Sequence, residues 1–125
     1  MTKKKILIVD DDQGILLMLQ LMLRLEGYEV LVCQEATNVL ATMEGENPDL
    51  VLLDAMMPHL DGLAVLNLVE SSNLPTKPPI ILFTGKVDES YIKQAMRAGA
   101  SDILIKPFVK EELLERLQTF LDPRT

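Results

Sequence analysis

A chain of 125 residues, 48% hydrophobic and 25% charged, has the size and balance of a globular domain with a real core. Nineteen acidic against 12 basic side chains leave a net charge of −7, which opposes nucleic-acid binding by this chain alone, because such binding is mostly phosphate neutralisation. No apolar run approaches the roughly 18–20 residues of a membrane span, Lys3-Lys4-Lys5 leads into too short an apolar run for a signal peptide, and the single cysteine, Cys33, allows no internal disulfide; a cytoplasmic protein without membrane contact is expected.

The first apolar run, ILIV at 6–9, is short and mostly β-branched, which predicts a strand, and it ends on Asp10, Asp11 and Asp12. Asp12 stands where an N-cap belongs, before a helix predicted over 13–26 that stops at Gly27, a C′ glycine. That helix is apolar nearly all round. On a 100° wheel Gln13, Gln20 and Arg24 mark its outward side and Ile15, Met18 and Met22 lie opposite, with Leu17 outward and Leu16, Leu21 and Leu23 flanking it. Either the flanks pack on the last helix, or they form a docking surface for a partner helix.

A second strand is predicted over 30–33, with Cys33 as a small core residue at its end, and a helix over 35–46. The third strand, 50–53, delivers Asp54, and Asp61-Gly62 opens a helix over 61–72. The fourth strand, 80–83, delivers Thr84 and Gly85 before a helix over 88–98 that stops at Gly99. The fifth, 103–105, delivers Lys106 and Pro107, and the last helix, 108–121, carries Leu113, Leu117 and Phe120 as a core-facing stripe. His59, the single histidine, is read as solvated and without a role.

Unbroken apolar runs suit strands covered on both faces, and five βα units in succession predict an α/β protein with a doubly wound parallel sheet, one domain over 1–125. Ligands of such sheets bind beyond the carboxyl ends of the strands, where this chain collects aspartates, a hydroxyl and an amine. Two like charges about 4 Å apart repel by about 4 kcal/mol at an effective dielectric near 20, so three successive aspartates need a reason beyond capping.

The stretches ILIVDDD at 6–12, LLDAMMPHLDG at 52–62, ILFTG at 81–85 and KPF at 106–108, in this order and spacing, resemble the receiver domain of bacterial two-component response regulators. The resemblance implies a flavodoxin-like (βα)5 fold with strand order 2-1-3-4-5. It implies Asp54 as phospho-acceptor, Asp11 and Asp54 as direct Mg²⁺ ligands, Asp10 acting through water, and the Met56 backbone carbonyl completing the set. It further implies a cis Lys106–Pro107 bond that aims the lysine inward, and a phosphohistidine donor on a sensor histidine kinase or histidine phosphotransfer protein.

The chemistry is coherent in its own right. A pocket of carboxylates repels itself until a divalent cation arrives, and oxygen-only ligands select Mg²⁺ or Mn²⁺. An aspartate is an accepted nucleophile for phosphoryl transfer, which needs mainly positioning and charge neutralisation. Lys106 and the Thr84 hydroxyl supply these, and Gly85 leaves room for the group to enter.

Two departures stand out. The family usually carries Tyr or Phe three residues before the lysine, where this chain has Ile103, so the ring movement coupled to the Thr84 switch is missing and the signal would run through backbone shifts. The positions bordering the phosphoryl group, second after the acceptor and second after the threonine, are Met56 and Lys86. Methionine cannot orient an attacking water, which predicts slow autodephosphorylation. The reading is a self-phosphorylating signalling module rather than a turnover enzyme, with a downstream protein partner, a binding surface around the fourth helix, fifth strand and fifth helix, and a possible phosphorylation-dependent homodimer. The alternatives are a degenerate receiver that binds partners without phosphate, and an aspartyl-phosphate phosphohydrolase. The latter would need an aspartate at position 56. A flavodoxin-like cofactor carrier would need a phosphate loop where DDDQG stands.

Overall fold

The computed structural model describes residues 3–57, 60–85 and 88–121. Among the described residues, seven strands and five α-helices follow in this order: β1 (Lys5–Val9), α1 (Gln13–Leu25), β2 (Glu29–Cys33), α2 (Val39–Glu46), β3 (Leu50–Asp54), β4 (Met56–Met57), β5 (Leu60–Asp61), α3 (Gly62–Glu70), β6 (Ile80–Thr84), α4 (Glu89–Arg97), β7 (Asp102–Ile105) and α5 (Lys110–Leu121). Five strands form a parallel sheet in the order β2-β1-β3-β6-β7, which for the long strands alone is the expected 2-1-3-4-5.

Period-two geometry sends alternate residues of each strand to opposite faces. Leu7, Val9, Val51, Leu53, Ile80 and Leu82 meet α2, α3 and α4. Ile6, Ile8, Leu50, Leu52, Ile81 and Phe83 meet α1 and α5, where Leu113 and Leu117 are buried and Phe120 packs partly buried. Each core strand is therefore apolar on both sides, which is why its sequence shows no alternation.

Local chemistry sets the helix ends. Asp12 accepts from the N–H groups of Gly14 and Ile15, and Asp61 from those of Leu63 and Ala64, satisfying first-turn donors. Gly27 and Gly99 take φ of +96° and +117° just after α1 and α4, the left-handed C′ conformation that favours glycine. Residues 36–38, expected within the second helix, form a separate 3₁₀ turn. A two-residue antiparallel ribbon, Met56 paired with Asp61 and Met57 with Leu60, was not foreseen; elements this short have no periodicity to read.

The wheel assignment for α1 needs correction. The buried residues are Leu16, Leu19 and Leu23, whereas Met18, expected inward, is 50% exposed. Gln13 and Gln20 line a hollow with Val32 of the edge strand β2 and Gln34 just after it. Their face therefore borders the edge of the sheet, and the buried face is turned about a quarter-turn from the one a polar-versus-opposite rule selects. Of the flanking residues, Leu16 and Leu23 are buried in the cluster that holds Leu113 and Leu117 of α5, one of the two expected outcomes, whereas Leu21 is exposed, as is the outward Leu17.

Candidate functional site

The carboxyl ends of β1, β3, β6 and β7 converge. Asp10 follows β1 directly and is 1% exposed, and its backbone N–H donates to Cys33 O at 3.2 Å. Its Oδ1 accepts from the Asp12 N–H at 3.0 Å, while Oδ2 is enclosed and receives no hydrogen bond among the described residues. Asp54, the last residue of β3, is buried, and its Oδ1 accepts from the Met56 N–H at 3.1 Å. Asp11 is exposed, yet one carboxylate oxygen from each of Asp10, Asp11 and Asp54 can be chosen so that all lie within 4.8 Å of one another.

Burial pushes the Asp10 carboxyl up to about 7, and the negative charge and side chain of Asp54 push in the same direction; the Asp12 N–H and the Lys106 charge oppose them. Near neutral pH, then, Asp10 either keeps a proton or needs a cation. An orphaned buried oxygen inside an all-carboxylate cluster fits a hard divalent ion, whose preferred ligands are oxygens. Asp10, Asp11 and Asp54 are the residues that could hold it.

Lys106 completes the charge arrangement. Its ammonium lies 3.7 Å from Asp54 Oδ1 and 4.8 Å from the centroid of the Phe83 ring. The Lys106–Pro107 bond is cis, as expected. Thr84, fully buried, ends β6 one residue beyond Phe83, the register partner of Asp54, and its carbonyl accepts from the Lys106 N–H at 2.8 Å. Gly85 is exposed, and a Cβ added there would meet no atom within 4 Å, so the packing of the chain itself does not demand glycine. The Met56 side chain is half-exposed at the rim. Ile103 is partly buried against the α2–α3–α4 face. Lys86 and His59 lie outside the described residues. Cys33 is a buried strand-end residue as expected, its thiol donating to Glu35 O at 3.0 Å and pushed up in pKa mainly by burial.

Sequence reasoning missed two neighbours. Phe83 forms the wall beneath Lys106 and meets Phe108 edge-to-face with ring centroids 6.3 Å apart. Its place just before Thr84 was the available signal. Phe83, Lys106, Pro107 and Phe108 join Ile15 and Met18 of α1 around an apolar groove of about 430 Å³. Tyr91 of α4 was also passed over; its ring is buried in the core on the other face.

Residues 6–118 match the family described as the response regulator receiver domain. Among curated proteins, the chain is similar to the alkaline phosphatase synthesis transcriptional regulatory protein PhoP of Bacillus subtilis, with 36% identity over 118 residues, covering 94% of this chain and 48% of that protein. The chain thus spans about half the length of the curated relatives it matches. Among solved structures, the CheY-like receiver domain protein of Methanospirillum hungatei superposes with a TM-score of 0.88 at 34% identity, covering 98% of this chain and 96% of that one. The chemotaxis protein CheY4 of Vibrio cholerae gives 0.89 at 29% identity, covering 96% of this chain and all of that one.

Proposed function

Since the chain belongs to the response regulator receiver family of two-component signalling, we propose that it accepts a phosphoryl group on the Asp54 carboxylate in an Mg²⁺-dependent reaction and thereby switches a protein-binding surface. The observation that carries this reading is the meeting of Asp10, Asp11 and Asp54 within 4.8 Å, with the Lys106 ammonium 3.7 Å from Asp54.

An Asp54 oxygen attacks phosphorus, the P–O bond forms as the donor's P–N bond breaks, and the electron pair leaves with the donor imidazole. Lys106 supplies a positive charge for one phosphoryl oxygen, and the Thr84 hydroxyl donates to another. Asp10, Asp11, Asp54 and the Met56 carbonyl would hold Mg²⁺ or Mn²⁺, which supplies neutralisation of the anionic oxygens. Met56 offers no group to orient water, so the acyl phosphate is long-lived. Mutation of Met56 to Asn shortens its lifetime; an unchanged lifetime would remove Met56 from the account.

The donor is a phosphohistidine on a sensor kinase or phosphotransfer protein. Its docking surface is the exposed stripe Leu17, Met18, Leu21 and Leu25 of α1, continuous through Met18 with the groove beside Lys106. Output runs through α4, β7 and α5 to a downstream protein or a second copy. Residues 1–125 act as one cytoplasmic unit whose self-directed chemistry is not turnover of an external metabolite. No described helix is long and apolar enough to cross a membrane. A second reading, a partner-binding receiver that works without phosphate, is favoured by Ile103 alone.

The test is incubation with Mg²⁺ and acetyl phosphate followed by intact mass. Wild type gains one phosphate and Asp54→Ala gains none. No gain in wild type, or equal gain in the variant, overturns the reading.

A further inference from the structure

We propose that the hydroxyl of Tyr91 is the group through which a phosphoryl group on Asp54 repositions α4, a task residue 103 cannot perform here. The proposal rests on the acceptor reading above and adds a positioning residue to it.

The argument begins with how α4 is seated. Its buried residues are Tyr91 and Ala95, one ring and one methyl, whereas α3 buries Gly62, Val65, Leu66 and Val69. Tyr91 is the one large side chain among the buried residues of α4, so a displacement of its ring bears directly on how α4 is seated. The ring packs in the cluster that contains Ala55 and Met57, the residues flanking Met56 just beyond Asp54, and Ile103 packs against the same cluster. The chain has five aromatic residues. Phe83, Phe108, Phe120 and Tyr28 belong to the opposite face, which leaves Tyr91 as the one ring on this side. Ile103 has no polar tip, and Tyr91 supplies one from the neighbouring element.

The phenol oxygen is sealed from solvent, so charges near it are poorly screened. Burial raises the Tyr91 pKa, and the negative charges of Asp61 and then Asp54 raise it further. The ring that carries this hydroxyl shares a core cluster with Ala55, the residue directly after the acceptor carboxylate. Converting Asp54 to an acyl phosphate adds negative charge and strong acceptor oxygens at that position. A buried O–H dipole on a lightly seated helix responds to that change by reorienting, and its backbone follows.

The experiment is amide hydrogen exchange of peptides covering Glu89–Arg97, comparing Mg²⁺ alone with Mg²⁺ plus acetyl phosphate, with intact mass read on the same samples. In wild type, phosphorylation changes the α4 exchange rate by about threefold or more. Tyr91→Phe keeps the ring, gains phosphate to the same extent and loses that change. A merely structural role would shift exchange equally in both states and leave the ratio intact. A wild-type response in Tyr91→Phe overturns the proposal, as does an unresponsive α4 in phosphorylated wild type. Absence of phosphate in wild type overturns the acceptor reading and this proposal together. If Tyr91→Phe does not fold, Tyr28→Phe leaves Tyr91 as the sole tyrosine in a chain without tryptophan. Its fluorescence must then change on phosphorylation, and constancy overturns the proposal.

Discussion

On the α1–α5 face of the sheet, large side chains fill the core: Leu16, Leu19 and Leu23 of α1 meet Leu113 and Leu117 of α5 around Phe83, with Phe108 and Phe120 partly buried beside them. On the α2–α3–α4 face the approach is closer and the packing residues smaller. Gly62 lies so near the sheet that a Cβ would stand 3.0 Å from both Ala55 Cα and Leu82 Cδ2, and α4 is seated by Tyr91 and Ala95. The first face makes a stiff wall behind Lys106. The second carries a lightly anchored helix next to the segment that follows Asp54. A large-residue backing to the acidic pocket and a lightly seated flank are the arrangement that the proposed switch calls for.

The largest expected effect tests the stiff face. Leu19→Ala, which opens a cavity at a fully buried site, should cost about 2–5 kcal/mol in urea unfolding. A cost comparable to that of an exposed position would mean α1 is not a packed wall.

The seam between the faces should respond to pH. The Asp10 carboxyl is raised from 3.8 to about 7 in the folded state, so the folded state holds this proton more tightly than the unfolded chain. Its contribution to stability is therefore full below about pH 4 and is lost as pH rises towards about 7, with a slope of up to about 1.4 kcal/mol per pH unit in metal-free protein. Denaturant melts across that window should show the slope in wild type and not in Asp10→Asn. Mg²⁺ at about 100 times its Kd should restore about 2.7 kcal/mol near neutral pH, and chelation should remove it.

The close face is tested by glycine. Gly62→Ala drives a Cβ against backbone and should cost about 1–3 kcal/mol. Gly45→Ala within α2, where a Cβ meets nothing within 4 Å, should instead stabilise by about 0.5–1 kcal/mol. Equal signs for the two would erase the contrast. The smallest stability effect belongs to the outer side of α1: Leu17→Ala, at a position 58% exposed, should stay within about 0.5 kcal/mol while slowing phosphotransfer from a cognate donor. Lost stability with unchanged transfer would return Leu17 to a packing role.

Much of this organisation was legible in the chain. Unbroken apolar runs marked strands covered on both sides, and Asp12, Asp61, Gly27 and Gly99 announced helix ends through hydrogen bonds and φ values that depend on neighbours in sequence. Asp10, Asp11, Asp54, Thr84 and Lys106 could be selected because each stands at a strand's carboxyl end, where parallel topology gathers side chains. What could not be read was orientation around an axis. The polar residues of α1 suggested the wrong inward face because they border the β2 edge, a neighbour the helix sequence does not describe. Nothing in the sequence sets Tyr91 apart, because its place in the core cluster that also holds Ala55, Met57 and the partly buried Ile103 is decided by the packing of distant segments.

By itself, then, the order of residues determined which segments become strands and helices, where they stop, and which charged groups reach one end of the sheet, since hydrophobic period and capping act over a few residues. Tertiary structure alone decided the distances at which those groups meet, the burial that lifts Asp10 to about 7, and which helix buries no more than one ring and one methyl. Those are properties of segments far apart in the chain, and they arise only when desolvation and packing bring the segments together.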